Sequence, residues 1–305
     1  HYKIRGIMIN KWLKAFRLRT LPLAFSSVLT GTAVAVDIGF FDWVVFTLAL
    51  ITTLFLQVLS NLANDYGDAQ KGTDNENRVG PKRSIQSGAI NKLQMKRAIV
   101  VFIFLSLFSG LVLVFYATRT ISFSYPLLFI IVGLLSILAA IKYTAGKSAY
   151  GYKGLGDLFV FVFFGLVGVI GTAVLYVHDF YFSMILPAIS IGCFSAAVLN
   201  LNNMRDFEND KACGKNTLVV KLGLSKSKKY HLAILICGIS ASFFYAINSS
   251  FSLFQYLFVL SFVPLIIHII TVVKITEYKN FDPELKKVAL STFLFSILFC
   301  LITIL

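Results

Sequence analysis

Two acid-rich stretches stand out in this chain because of what surrounds them. The first, "NLANDYGDAQKGTDNENR" at 61–78, holds Asp65, Asp68, Asp74 and Glu76, four of the fourteen acidic residues. The second, "NLNNMRDFENDKACGKNTLVVKLG" at 200–223, holds Asp206, Glu208 and Asp210. If each stretch is helical, Asp65 and Asp68 stand three apart and Asp206 and Asp210 four apart, so each pair shares one helix face. Like charges at that spacing repel unless a cation lies between them. All-oxygen clusters suit hard cations, Mg²⁺ above all, which takes one or two carboxylates and completes its shell with water and phosphate oxygens. Asn64, Asn202 and Asn203 add neutral oxygens, and Lys71, Arg78, Lys82, Arg83, Arg205, Lys211 and Lys215 are interleaved. Carboxylates, Mg²⁺ and Arg or Lys together describe a phosphate or diphosphate site. A solvated loop surface is the bland alternative for either stretch taken singly, and Glu76 and Glu208 fit it well.

The elements that must position these residues are membrane spans. Of 305 residues, 57% are hydrophobic and 14% charged, against about 25% charged in a soluble domain. The apolar residues come in blocks of the length, about 20 residues, that a helix needs to cross about 30 Å of hydrocarbon. Lipid leaves backbone groups unsatisfied unless they pair internally, so the spans are helices. Nine are expected, over 21–41, 43–63, 98–116, 121–141, 157–177, 181–203, 231–248, 252–273 and 287–305, in an all-α integral membrane protein forming one domain over 1–305. Every Lys and Arg except Arg119 then falls in the N-terminal segment (Lys3, Arg5, Lys11, Lys14, Arg17, Arg19) or in the even-numbered loops, 64–97, 142–156, 204–230 and 274–287. The positive-inside rule makes these cytoplasmic, with the N-terminus inside and the C-terminus outside. This alternation accounts for the net charge of +14 without nucleic acid, and the basic loops favour an anionic inner leaflet. Four spans separate the two acidic stretches, so both face the cytoplasm, where the three loops 64–97, 142–156 and 204–230 can cap a shared site. Nothing at the N-terminus reads as a cleaved signal peptide. Cys193, Cys213, Cys237 and Cys300 lack metal-ligand spacing, and no disulfide is expected on the reducing side. His178 is placed on the outer side, His268 deep in a span and His231 at the interface.

"NDYGD" (64–68) and "DFEND" (206–210) resemble the two aspartate-rich motifs of the UbiA superfamily of intramembrane prenyltransferases. "AFRLRTLPLAFSSVLTGTA" (15–33), "NDYGDAQKGTDNENRVGPKRSIQSG" (64–88), "YKGLGDLFVFVFFG" (152–165) and "NNMRDFENDKACGKNTLVVKLG" (202–223) look like its MenA branch, the 1,4-dihydroxy-2-naphthoate polyprenyltransferases of menaquinone (vitamin K2) biosynthesis. The last three spans are generic. The superfamily's first motif commonly reads NDxxDxxxD, whereas here Gly72 stands four residues after Asp68 and the nearest acid is Asp74.

The resemblance implies a UbiA-like bundle of nine helices in the bacterial inner (plasma) membrane. Its partners would be a polyprenyl diphosphate, 1,4-dihydroxy-2-naphthoate and the bilayer, with Mg²⁺ as cofactor. Asp65, Asp68, Asp206 and Asp210 would hold the metal, with Asp74 and Asn203 as further candidates. Asn64, Lys71, Arg78, Arg83, Asn202, Arg205 and Lys215 would bind diphosphate or the aromatic acid. The third cytoplasmic segment, "IKYTAGKSAYGYKGLGDL" (141–158), would add Tyr143, Lys147, Tyr152 and Lys153 as donors, with Asp157, Lys71 and Tyr143 as the catalytic candidates. A helix cap is the bland role for Asp157. The isoprenoid tail needs an apolar groove, for which Phe159, Phe161, Phe163 and Phe164 are available. The rival readings are a prenyltransferase with another acceptor, such as 4-hydroxybenzoate, homogentisate or haem, and a cation-binding transporter. Transport would place ionisable groups near the midplane, whereas here they gather at one surface.

Overall fold

The computed structural model describes residues 10–121, 124–146 and 148–304, so Lys3, Arg5 and Lys147 lie outside the described residues. Among the described residues nine helices are long and apolar enough to cross a membrane. They are α1 (Asn10–Asp37), α2 (Trp43–Lys71), α3 (Lys92–Ala117), α4 (Tyr125–Lys142), α5 (Gly156–Val177), α6 (Phe182–Arg205), α7 (Leu224–Asn248), α8 (Leu253–Lys274) and α9 (Tyr278–Ile304). No strand occurs among the described residues.

The helices differ from the expected spans in where they end. Hydropathy stops the second span at residue 63, but α2 continues to Lys71. Gly72 closes it in the left-handed conformation (φ 72) and donates its N–H to the Asp68 carbonyl, a common glycine stop. At the same end of the bundle α3 starts at Lys92, behind an Asn91/Gln94 capping box, while α7 starts at Leu224 and α9 at Tyr278. Lys11, Lys14, Arg17 and Arg19 ride on α1 rather than ahead of it. Hydropathy reports only the lipid-solvated part of a helix; the charged turns beyond it stay helical where water or an opposite charge meets them. The loops 64–97 and 204–230 are therefore partly helix. His231, expected at the interface, is fully buried, because the early start of α7 carries it inside, where its Nε2 lies 2.8 Å from Nε2 of His268.

Two helices form the centre of the bundle. α1 packs on α2, α5, α6 and α9, and α6 packs on α5, α7 and α9, while α2, α3 and α4 form a group leaning on α1. Small residues set the closest approaches: a Cβ on Gly31 would stand 2.5 Å from the Val169 carbonyl, and one on Gly165 would strike the Ala188 carbonyl. Such contacts replace the hydrophobic drive that lipid removes. In α5 the stretch Phe161–Ile170 is π-helical, a geometry that recurs at functional sites. α1 is interrupted at Arg17, whose φ of 51 precedes a short 3₁₀ turn; a non-glycine residue there costs on the order of 1–3 kcal/mol. At the end far from the acidic motifs, Phe40, Phe41, Trp43, Phe180, Tyr181 and Phe182 are exposed, as in an interfacial aromatic belt. His178 lies at that same end, with Nε2 2.7 Å from the Ala117 carbonyl.

Candidate active site

The extra turns of α2 present Asn64, Asp65, Asp68 and Lys71 at the charged end of the bundle, with Asp65 and Asp68 buried. The interruption in α1 swings Arg17 onto Asp65, with which it pairs directly. Nε of Arg83 is 3.7 Å from the same carboxylate. The loop after α2 folds back on itself, Gln86 accepting the Arg83 N–H and donating to the Asn75 carbonyl. This brings Asp74 within 3.2 Å of Arg78 Nε and 4.0 Å of Arg83 Nε.

The second motif begins where α6 ends. Asp206 lies between α6 and a short helix, Phe207–Ala212, and its carbonyl accepts the Asp210 N–H at 2.8 Å, so the two side chains sit one turn apart and both are buried. Arg205 donates through Nε and Nη2 to the two oxygens of Asp206 (3.0 and 2.7 Å) and through Nη2 to Asn202 (2.8 Å). Asn203 is buried beside them in the sequence. The motifs meet on shared cations. Nζ of Lys215 is 3.9 Å from Asp68 and 3.7 Å from Asp210, and Nη2 of Arg78 is 3.5 Å from Asp206. Asn209 ties the two backbones by donating to the Thr73 carbonyl.

The segment between α4 and α5 supports the first motif. Thr144, fully buried, donates to the Ala63 carbonyl (3.1 Å) and lies 3.3 Å from Asn64 Oδ1. The Tyr152 hydroxyl donates to Asp68 at 2.7 Å and is bonded to Thr73, while Lys71 Nζ stands 3.7 Å over the Tyr152 ring. Lys153 is exposed, with its carbonyl held by Lys221. Asp157 is buried within the first turn of α5 and is not its N-cap, which is Leu155. It lines a separate cavity of about 320 Å³ with Phe161, Cys193 and Tyr230, and among the described residues neither of its carboxylate oxygens has a hydrogen-bond partner.

Beneath the cleft lies an apolar chamber of about 390 Å³ between α1, α2, α3, α4 and α5. Asn64, Tyr143 and Tyr150 line its charged end, and Phe159, Phe163 and Phe164 its wall. Phe161 instead faces the smaller cavity.

Burial and neighbouring charges together set the protonation of the cleft. Burial pushes Asp74 up to about 6, with Asp68 adding and Arg78 and Arg83 opposing, and Asp210 up to about 7, with Lys215 opposing. For Asp206 burial acts upward too, but the Arg205 fork outweighs it and holds the carboxyl below its usual range. Burial would discharge Lys215, yet Asp68 and Asp210 raise it above the usual lysine range. Tyr143 and Tyr152 are raised by burial and by Asp68, which keeps both phenols neutral donors. Among the described residues no three carboxylate, histidine or cysteine side chains converge on one point. Mg²⁺ does not require that, since it usually binds through one or two carboxylates plus phosphate and water. The residues fit such an ion: the two oxygens of Asp74 and Oδ2 of Asp210 are buried without hydrogen-bond partners among the described residues.

Three residues of this arrangement escape sequence reasoning. Arg17 reads there as one basic residue among six, Thr144 carries no charge or motif, and Asp282, which accepts from Arg205 Nη1 at 2.5 Å, lies ahead of a generic span.

Fold and cleft together define a helical, multi-pass membrane protein whose charged residues gather over an apolar chamber. Residues 24–298 match the UbiA prenyltransferase family. The chain belongs to that family. It is 47% identical over 250 residues to the 1,4-dihydroxy-2-naphthoate octaprenyltransferase of Escherichia coli strain K12, covering 82% of this chain and 80% of that one. Its identity to the Haemophilus influenzae protein of the same name is 43% over 300 residues, covering 96% and 97%. Among solved structures, a UbiA homologue from Aeropyrum pernix superposes with a TM-score of 0.65 at 14% identity, over 88% of this chain and 96% of that one. A homologue from Archaeoglobus fulgidus bound to GPP and Mg²⁺ gives 0.61 at 15%, over 97% and 100%. These structures share the fold.

Proposed function

We propose that the protein transfers a polyprenyl group from a polyprenyl diphosphate to 1,4-dihydroxy-2-naphthoate in an Mg²⁺-dependent reaction, giving demethylmenaquinone in its reduced, quinol form for menaquinone biosynthesis. The observation that carries this reading is the 43% identity to the Haemophilus influenzae octaprenyltransferase over nearly the whole of both chains. The setting is a bacterial inner membrane with the charged end cytoplasmic, which the distribution of Lys and Arg supports.

Asp65, Asp68, Asp206 and Asp210 would hold Mg²⁺, with Asp74 and Asn203 as further candidates. When bound, the metal neutralises the diphosphate and makes it a better leaving group. Arg17, Lys71, Arg78, Arg83 and Lys215 supply positive charge around the same carboxylates and orient the diphosphate, with Asn64, Asn202, Arg205, Lys147 and Lys153 as further contacts. The bond from prenyl C1 to the diphosphate oxygen breaks, the electron-rich ring carbon bonds to C1, and the acceptor's carboxylate leaves as CO₂. Tyr143, a neutral donor at the mouth of the chamber, holds a substrate oxygen, while Tyr152, whose proton goes to Asp68, holds that carboxylate in place; Asp157, which lines the smaller cavity, is the candidate base for an acceptor hydroxyl presented from that side. The stacked rings of Tyr150 and Phe159, 3.9 Å apart, offer π-faces to allylic cation character at C1. The apolar chamber keeps out water that would capture that cation.

The test is purified protein with Mg²⁺, a polyprenyl diphosphate and a panel of aromatic acceptors. Prenylation of 1,4-dihydroxy-2-naphthoate with CO₂ release is expected, and Asp65→Ala and Asp206→Ala should each abolish it while the protein still folds. Preference for another acceptor would move the reading within the family. No turnover with any acceptor by folded protein would overturn it.

A further inference from the structure

The last three membrane helices carry none of the acidic motifs, yet the start of α9 is fastened to the second one. Arg205 is 1% exposed at its side chain. Its Nε and Nη2 are engaged by Asp206 and Asn202, and its Nη1 reaches across to Asp282, 2.5 Å away on α9. Four residues earlier, the Tyr278 hydroxyl donates to Glu208 at 2.8 Å, and the Tyr278 ring stacks on Phe207 with centroids 5.9 Å apart. Gly80 also closes on the guanidinium; a Cβ there would stand 2.6 Å from Nη2. A guanidinium is a rigid planar fork, so fixing Nη1 fixes the plane in which Nε and Nη2 point.

We propose that Asp282, seconded by Tyr278, is a positioning residue for the site: it orients the Arg205 fork, which in turn holds the Asp206 carboxylate where metal and diphosphate are bound. The inference rests on the function proposed above. Asp282 is half-exposed, and without it the buried Arg205 still keeps Asp206 and Asn202 as partners, so the guanidinium is not left unpaired. Its removal therefore acts on the site, not on the fold. Freed at Nη1, the fork tilts, and Asp206 loses the second of its two parallel hydrogen bonds.

The experiment measures Mn²⁺ binding by electron paramagnetic resonance in detergent, with inorganic diphosphate present, alongside thermal unfolding of each protein. Asp282→Ala should weaken Mn²⁺ binding about tenfold, as loss of a group supporting a metal ligand does, with little change in melting temperature. Asp282→Asn, whose amide oxygen can still accept from Nη1, should recover most of the loss. In an Arg205→Lys background, where the fork is gone, Asp282→Ala should weaken binding no further. Unchanged Mn²⁺ affinity in Asp282→Ala, or full additivity with Arg205→Lys, overturns the proposal. If Asp282→Ala does not fold, Tyr278→Phe is read instead, and wild-type affinity there overturns it equally. Wild-type protein that binds no Mn²⁺ with diphosphate would sink the proposed function itself, and this inference with it.

Discussion

Lys215 is where the two halves of the cleft meet. Its ammonium lies between Asp68, at the end of α2, and Asp210, in the short helix after α6, and all three side chains are at most one-tenth exposed. Truncating it leaves two buried carboxylates facing each other without a cation, and breaking a buried pair costs about 3–5 kcal/mol. The contacts here are near the 4 Å limit, so the low end applies. Lys215→Ala is expected to destabilise the protein by about 3 kcal/mol, read by thermal unfolding in detergent. Because the missing element is positive charge, Mg²⁺ should raise the melting temperature of the variant more than that of wild type. Equal Mg²⁺ responses would show that Lys215 acts through packing and not through the carboxylates.

The elements show which parts of this arrangement were legible from sequence. Two acid clusters on one side followed from counting spans, because an even number of crossings returns the chain to the same surface. The helical spacing of Asp65 and Asp68 was conditional on α2 continuing past its apolar part, which hydropathy cannot report. Contacts made by uncharged or isolated residues left no trace: Thr144 against Asn64, Asp282 against Arg205, and Arg17, which needs a break in α1 to reach Asp65. Gly67 belongs to this group. A Cβ there would stand 2.5 Å from Thr144 Oγ1 and 2.7 Å from the Thr144 carbonyl carbon, so the α4–α5 segment can dock only on a glycine. Gly67→Ala should push that segment away, carrying Thr144 off Asn64 and Tyr152 off Asp68. The expected cost is about 1–3 kcal/mol of stability, with loss of prenyl transfer. Gly110→Ala is the control: its Cβ meets only Thr52 Cγ2, at 3.7 Å, and alanine in a helix interior is neutral or stabilising. A Gly67→Ala variant that behaves like Gly110→Ala would show that the docking is not needed.

At the scale of the whole molecule, the chamber runs along α2 from Asn64 at the charged end to Ala49, about 22 Å of helix. Its outer wall is α4, the least buried of the nine helices by its share of buried residues, 11%, so lipid and chamber are separated by one helix. A long isoprenoid tail belongs in such a space, and the length it accommodates is set by what projects inward. Gly133 on α4 lines the chamber with no heavy atom within 4 Å of where its Cβ would be. A Gly133→Trp side chain there has room to fill the lumen without displacing packed backbone. A long tail blocked there cannot seat its diphosphate fully in the cleft, and a misplacement of about 1 Å at the reacting atoms costs up to about a hundredfold in rate. The variant should therefore lose that much kcat/KM with a long polyprenyl diphosphate while turning over a two-isoprene diphosphate as wild type does. Both substrates address the same cleft, so equal losses would place the damage at the charged end, and no loss would place the tail outside this chamber.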